Sequence, residues 1–124
     1  GSGQPKREFL YVEDLAEASI FVLENISSDN KILYDEKSEY MGTINIGFGK
    51  DISIKELAYL ISKIIDFRGK IQWDLSKPDG TPRKLLDTSK INKLGWSAKI
   101  NIENGIKLTL KNYLSDLKNK TLRI

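Results

Sequence analysis

The sequence predicts a small mixed α/β domain with about four helices and a few short strands. Apolar residues recur at helical spacing in several segments, and short runs rich in branched or aromatic residues lie between them. The chain has 124 residues, of which 40% are hydrophobic and 30% charged. This size and composition suit a single globular domain over residues 1–124.

The first strand and helix are predicted near the start of the chain. Residues Arg7–Val12 are rich in aromatic and branched side chains, which is typical of a strand. Asp14 is placed to cap a helix that runs to about Ile26, with its apolar residues at helical spacing. Residues 27–41 are polar, with mixed charge and no clear period, and predict a flexible excursion.

A second strand and helix are predicted after this excursion. Residues 43–47 alternate between polar and apolar side chains, as a strand does. Ser53 then caps a helix to about Ile65, whose apolar stripe includes Ile54, Leu57, Ala58 and Ile61.

The last third of the chain predicts one more strand and two more helices. Residues 70–74 form the third strand candidate. Ser89 can begin a short helix that Gly95 ends, and Asn101 caps a final helix. Alternation of strands and helices favours a mixed α/β class over an all-helical one.

Composition excludes several kinds of chemistry. The chain contains neither cysteine nor histidine, so it can form no disulfide, no Cys- or His-based zinc site and no Ser–His nucleophile pair. We therefore expect no metal site. No apolar run approaches the roughly 20 residues of a membrane span, so we expect no membrane contact. A chain without cysteine fits a cytoplasmic location. The net charge of +3 suits a small anionic ligand. Gly1-Ser2-Gly3 reads equally well as a cloning remnant or as native sequence.

The stretch SKPDGTPRK, Ser76–Lys84, is the strongest candidate for a binding loop. Pro78-Asp79-Gly80 is a turn signal, because proline restricts φ and glycine accepts positive φ. Such a turn brings Lys77 towards Arg83 and Lys84, and these cations could hold a phosphate. Composition alone favours a solvated surface loop instead, since most charged loops bind nothing specific.

Two further patterns are better explained by structure than by function. Gly47-Phe48-Gly49 follows a strand and precedes a helix, but Ile52 stands where the third glycine of a dinucleotide fingerprint would fall. A tight turn is therefore the better interpretation. Tyr59 and Lys63 have the spacing of a reductase proton-transfer pair, yet they lie on the helix face opposite the apolar stripe, where we expect solvent.

Arg7 leaves two interpretations open. Its guanidinium could pair with Glu8, Glu13 or Asp14, or it could point into a cleft and receive an anion. Spacing alone does not separate these alternatives.

In their order along the chain, these segments resemble the C-terminal part of the GDP-L-fucose synthases, a family of extended short-chain dehydrogenases/reductases. The resemblance is carried by GSGQPKREFLYVEDLAEA, INIGFGKDISIKELA, IQWDLSKPDGTPRKLLDTSKINKLGW and IENGIKLTLKNYL. It covers nearly the whole chain and is weakest over residues 27–40. The loop motif SKPDGTPRKLLD is the specific marker of this branch.

The resemblance implies roles for four residues. Arg7 matches an arginine that contacts substrate phosphate, Asp79 a residue that contacts substrate, and Lys84 a cation near the diphosphate. Arg83 is a further candidate for the same site. Tyr11 and Asp14 match structural positions.

The resemblance also implies a division of labour. In the whole enzyme a GDP-4-keto-6-deoxymannose is epimerised at C3 and C5 and then reduced by NADPH to GDP-fucose. The NADP-binding Rossmann lobe and all catalytic residues would lie outside this chain, which would bind substrate but neither NADPH nor a metal, and would be inactive alone. Its partners would be the GDP-sugar, the Rossmann lobe and, as an option left open, a second subunit. The alternatives are a lobe of another sugar-nucleotide epimerase or dehydratase, and a non-catalytic basic module for RNA or acidic partners.

Overall fold

The computed structural model describes residues 1–122. In this part of the chain it contains, in order, β1 (Lys6–Glu8), α1 (Val12–Asn25), β2 (Asp51–Ser53), α2 (Ile54–Ile64), β3 (Arg83–Lys84), α3 (Ser89–Lys93) and α4 (Ile102–Asn119). The predicted class, a small mixed α/β domain with about four helices, is confirmed.

The three strands form one small mixed sheet in the order β2-β1-β3. The central strand β1 pairs antiparallel with β2, where Arg7 lies opposite Ile52. It pairs parallel with β3, where Arg7 lies opposite Lys84. The sheet therefore brings the start of the chain against the end of the SKPDGTPRK loop.

Two helix starts were correctly predicted because their signals are local. At α2 the Ser53 hydroxyl accepts from the Glu56 amide at 3.1 Å, and the Glu56 carboxylate accepts from the Ser53 amide at 2.9 Å, a complete capping box. At α4 the Asn101 side chain accepts from the Asn104 amide at 2.9 Å. Gly95 follows α3 with φ +99°, a conformation that glycine adopts at little cost.

The prediction that Asp14 caps α1 is wrong. The helix begins at Val12, and its N-cap residue Tyr11 has extended dihedrals and makes no side-chain cap. Asp14 lies in the first turn and is only 3% exposed. Its Oδ2 accepts from the backbone amides of Lys99 at 3.2 Å and Ile100 at 2.9 Å. The carboxylate thus joins α1 to the segment that leads into α4.

The predicted strands were also wrong in position. The first strand is shorter than Arg7–Val12 because only residues 6–8 belong to a ladder, and the chain is helical from Val12. Residues 43–47 and 70–74 form no strand, because neither segment has a ladder partner among residues 1–122. A strand requires a partner as well as an alternating pattern.

The core is small and lies between α1 and α3. Ala18, Ile91 and Trp96 are almost fully buried there. Ile44 and Ile46 pack on this cluster, so alternate side chains of residues 43–47 do face the core, although the segment forms no strand. Residues 27–41 contain a 3-10 turn at Lys31–Leu33 and a single bridge between Tyr34 and Tyr40; their flexibility stays a prediction.

Candidate anion-binding site

Two of the predicted cations lie side by side on one face of the sheet. Arg7 and Lys84 are register partners in the parallel pair of β1 and β3. Because side chains alternate between faces along a strand, register partners project from the same face. No hydrogen bond or ion pair within residues 1–122 engages the exposed Lys84 ammonium, which leaves its three donors to solvent or ligand.

The Arg7 guanidinium holds the binding loop through main-chain contacts. Its Nη1 donates to the carbonyls of Lys6 at 2.6 Å and Thr81 at 2.8 Å. Nη2 lies near Gly80, whose absent side chain leaves room beside it. These contacts use one terminal nitrogen, so the other remains available for an anion.

None of the carboxylates considered as partners of Arg7 forms an ion pair with it in the described part of the chain. Glu8 accepts instead from the amides of Gly49 and Leu86. Asp14 is engaged by the amides that precede α4. Of the two interpretations of Arg7, the geometry favours the cleft.

Asp79 lies within the SKPDGTPRK loop and is held by Ser2. The loop turns at Leu75–Ser76 and not at the predicted Pro78-Asp79-Gly80, where Gly80 has no positive φ. The Ser2 amide donates to Oδ1 at 2.7 Å, and the Ser2 hydroxyl donates to Oδ2. Both hydrogen bonds lower the pKa of the Asp79 carboxyl, the one from the Ser2 hydroxyl more than the one from the amide, and so keep it ionised. Ser2 is therefore integrated into the site, although sequence reasoning treated it as a cloning remnant or as unremarkable native sequence.

A cleft of about 390 Å³ separates the start of the chain from the loop. Its lining includes Gly3, Arg7, Trp73, Asp79 and Gly80. This volume is within the range usual for small-molecule sites, roughly 300–1,000 Å³. Lys84 does not line the cleft itself but lies beside Arg7 across the strand pair.

Arg83 lies on the opposite face from Arg7, on the side of its register partner Lys6. It forms an ion pair with Asp51 of β2, whose side chain is only 9% exposed. The hydrogen bond from Arg83 lowers the pKa of the Asp51 carboxyl. This arrangement favours a structural role for Arg83 and sets it apart from Arg7, Asp79 and Lys84.

The Gly47–Gly49 turn does not fit a dinucleotide phosphate. The Gly49 amide, which would have to face a phosphate, donates to the Glu8 carboxylate at 2.5 Å. A Cβ at Gly47 would lie 2.5 Å from the same carboxylate. The half-buried Glu8 carboxylate at this turn would repel a diphosphate, so the glycines allow close packing around Glu8. Sequence reasoning missed this role of Glu8, because its two loop partners are distant in sequence.

Two other features carry no anion chemistry. Tyr59 is 51% exposed and Lys63 is exposed, in agreement with the expected solvent-facing side of α2. A second cavity, of about 410 Å³, lies between α2 and α4 and is lined mainly by apolar residues such as Ile61, Ile106 and Leu110. Among the residues that the structure describes, no lysine or arginine lines it. Among residues 1–122, no group of acidic residues is arranged to hold a metal ion and no helix is both long and apolar enough to cross a bilayer.

The chain is similar to sugar-nucleotide epimerases and reductases. Residues 1–47 match the model of the NAD dependent epimerase/dehydratase family. The chain is 38% identical to a GDP-6-OMe-4-keto-L-xylo-heptose reductase from C. jejuni, with a TM-score of 0.86 over 94% of this chain and 33% of that one. It is 39% identical to a GDP-mannoheptose C4 reductase from Campylobacter jejuni with NADP bound, with a TM-score of 0.74 over 92% of this chain and 33% of that one.

Among curated proteins, the particular likeness is to the GDP-L-fucose synthases. GDP-L-fucose synthase 1 of Arabidopsis thaliana is 42% identical over 120 residues, which are 97% of this chain and 33% of the relative. The resemblance predicted from the sequence motifs is thus confirmed, and the chain spans about a third of the length of the relatives that it matches.

Proposed function

We propose that this chain is the substrate-binding part of a GDP-L-fucose synthase-like epimerase-reductase, and that its cleft holds the diphosphate of a GDP-sugar. The observation that carries the proposal is the placement of Arg7 and Lys84 side by side on one sheet face, with Arg7 lining a cleft that also contains Asp79. Two cations that have no carboxylate partner among residues 1–122 favour an anion of two charges.

Each group has a distinct task in this proposal. The free side of the Arg7 guanidinium can give two parallel hydrogen bonds to one phosphate, while Lys84 supplies a mobile point charge to the other. Asp79 would repel a phosphate, so it accepts a hydroxyl of the ribose or the sugar. Arg83 acts by holding β2 through Asp51 rather than by touching the ligand.

In the whole protein, the remaining part of the enzyme would bind NADP(H) and carry out the epimerisation and the hydride transfer to C4. Anchoring the distant GDP would restrain the sugar in front of the nicotinamide, which is how remote binding energy assists a chemical step. This chain would contribute no catalytic residue. The other parts of the proposal are a cytoplasmic location, a flexible segment at residues 27–41, and contact with a cofactor lobe or a second subunit.

Calorimetric titration of GDP into the chain and its variants tests the site. We expect Arg7→Ala and Lys84→Ala each to weaken GDP binding by roughly tenfold to a hundredfold, since a charged hydrogen bond contributes about 1.5–3 kcal/mol. Arg7→Lys should recover part of the loss. Lys111→Ala, which removes an exposed lysine of α4, is the matched control and should leave the affinity unchanged.

Equal affinity of the parent and both alanine variants would refute the assignment of the cations. A panel of GDP, UDP and dTDP, with a short single-stranded RNA, tests the class of ligand in the same assay. A preference for UDP or dTDP would favour another sugar-nucleotide enzyme, and RNA binding that falls steeply with salt would favour a nucleic-acid module.

A further inference from the structure

We propose that Ser2 is a positioning residue of the anion site and acts through Asp79. This inference rests on the proposed GDP-sugar function of the cleft. The structure provides the contact: both donors of Ser2, its amide and its hydroxyl, point at the two oxygens of one carboxylate 77 residues away. A carboxylate that accepts two hydrogen bonds from one residue is fixed in both position and rotation.

The consequence is a loop segment held at both of its ends. Ser2 holds Asp79, while Arg7 donates to the Thr81 carbonyl and the Lys6 amide donates to the Pro82 carbonyl at 2.8 Å. Residues 79–82 are thus attached to the segment 2–7 by three separate contacts. Without the Ser2 contact, the Asp79 end of this segment would be free to move while the Pro82 end stayed attached.

The contact leaves Asp79 able to bind a ligand. An ionised carboxylate has about four acceptor positions, and Ser2 occupies two of them. The remaining positions can accept a ligand hydroxyl. Ser2 therefore presents an already oriented acceptor to the cleft, which lowers the entropy lost when a ligand binds.

Gly3 keeps this segment close to the other wall of the cleft. Its φ of +78° is in the left-handed region, and a Cβ at this position would lie 2.6 Å from the Trp73 ring. Glycine is thus required immediately after Ser2, and the backbone that carries Ser2 is pressed against Trp73. The position of Ser2 is determined by packing on one side and by Asp79 on the other.

A double-mutant cycle with GDP as the ligand tests the inference. Ser2→Ala should weaken GDP binding by about threefold to tenfold, the value of one ordinary hydrogen bond. In the Asp79→Ala background, Ser2→Ala should cause no further loss, because its effect passes through that carboxylate. Ser2→Thr, which keeps the hydroxyl, should restore binding. Ser27→Ala removes a serine hydroxyl that donates to Asp29 far from the cleft, and serves as the matched control.

A second measurement needs no ligand. Backbone order parameters of Asp79 and Gly80, obtained from ¹⁵N relaxation, should fall in Ser2→Ala from the rigid range near 0.85 towards 0.6, and should be normal in Ser2→Thr and Ser27→Ala. Unchanged order parameters in Ser2→Ala, or additive losses of affinity in the cycle, would overturn the inference. If the loop loosens as expected but the parent chain does not bind GDP, the positioning by Ser2 stands and the proposed ligand is wrong.

Discussion

Replacement of Asp14 offers the sharpest test of how this fold is held together. Asp14 is 3% exposed, and one of its oxygens accepts from the amides of Lys99 and Ile100. Asp14→Ala removes the acceptor and leaves two backbone donors without a partner. A fully buried unsatisfied donor costs about 1–3 kcal/mol, and these two hydrogen bonds are partly buried, so we expect a combined loss of about 2–4 kcal/mol in the free energy of unfolding. That is a large part of the total of about 5–15 kcal/mol that is usual for a domain.

The design includes a conservative variant and a matched control. Asp14→Asn keeps an oxygen that can accept both amides and loses only the charge, so its cost should be about 1 kcal/mol. In Asp35 a single oxygen also accepts two backbone amides, those of Lys37 at 2.8 Å and Glu39 at 2.9 Å, but the residue is exposed. Water can replace that acceptor, and Asp35→Ala should cost less than about 1 kcal/mol.

Urea unfolding at neutral pH, followed by far-ultraviolet circular dichroism, measures all three variants. The midpoints should fall in the order Asp35→Ala, Asp14→Asn, Asp14→Ala, with an unchanged dependence on urea concentration. Equal losses in Asp14→Ala and Asp35→Ala would refute the role of burial. Equal losses in Asp14→Asn and Asp14→Ala would show that charge, not the acceptor geometry, is what matters at this position.

Two further predictions concern the start of the chain and the sheet. Gly3→Ala should lower the free energy of unfolding by about 2–4 kcal/mol, the sum of left-handed strain and overlap with Trp73. Gly95 has φ +99° and open space around it, so Gly95→Ala is the control and should cost only the strain, about 1–2 kcal/mol. Equal losses in the two variants, measured by urea unfolding, would contradict the overlap at Gly3. Arg83→Met should raise the pKa of Asp51, which the native ion pair lowers. When folding lowers the pKa of a carboxyl, the ionised group stabilises the folded state at pH values above its unfolded pKa of about 3.9. This contribution is lost as the pH falls through the folded pKa. The parent should therefore be more stable than Arg83→Met at pH 7, and this difference should shrink as the pH falls below about 3.9 and vanish once Asp51 is protonated in the folded state. A difference that stays constant with pH would refute the linkage.

Helix ends with short-range signals were predictable from the sequence. Ser53 and Asn101 each cap through an amide three residues ahead, so the residues that make the contact are adjacent in the pattern. Asp14 had the same local appearance but serves a different contact, since its partners lie 85 and 86 residues away. A residue that makes a tertiary contact can thus be mistaken for a helix cap, because no local pattern reveals its distant partners.

The sequence by itself determined the class of fold, the helical segments and, through its motifs, the resemblance to the GDP-L-fucose synthases. These features depend on dihedral preferences and on side-chain periodicity over a few residues. Only the tertiary structure decided which segments pair as strands, because a ladder needs a partner whose register is not written in either strand alone. It placed Lys84 beside Arg7, turned Arg83 to the other face towards Asp51, and joined Ser2 to Asp79. Contacts between residues more than 30 positions apart depend on how the whole chain closes on itself, and it is these contacts that shape the cleft.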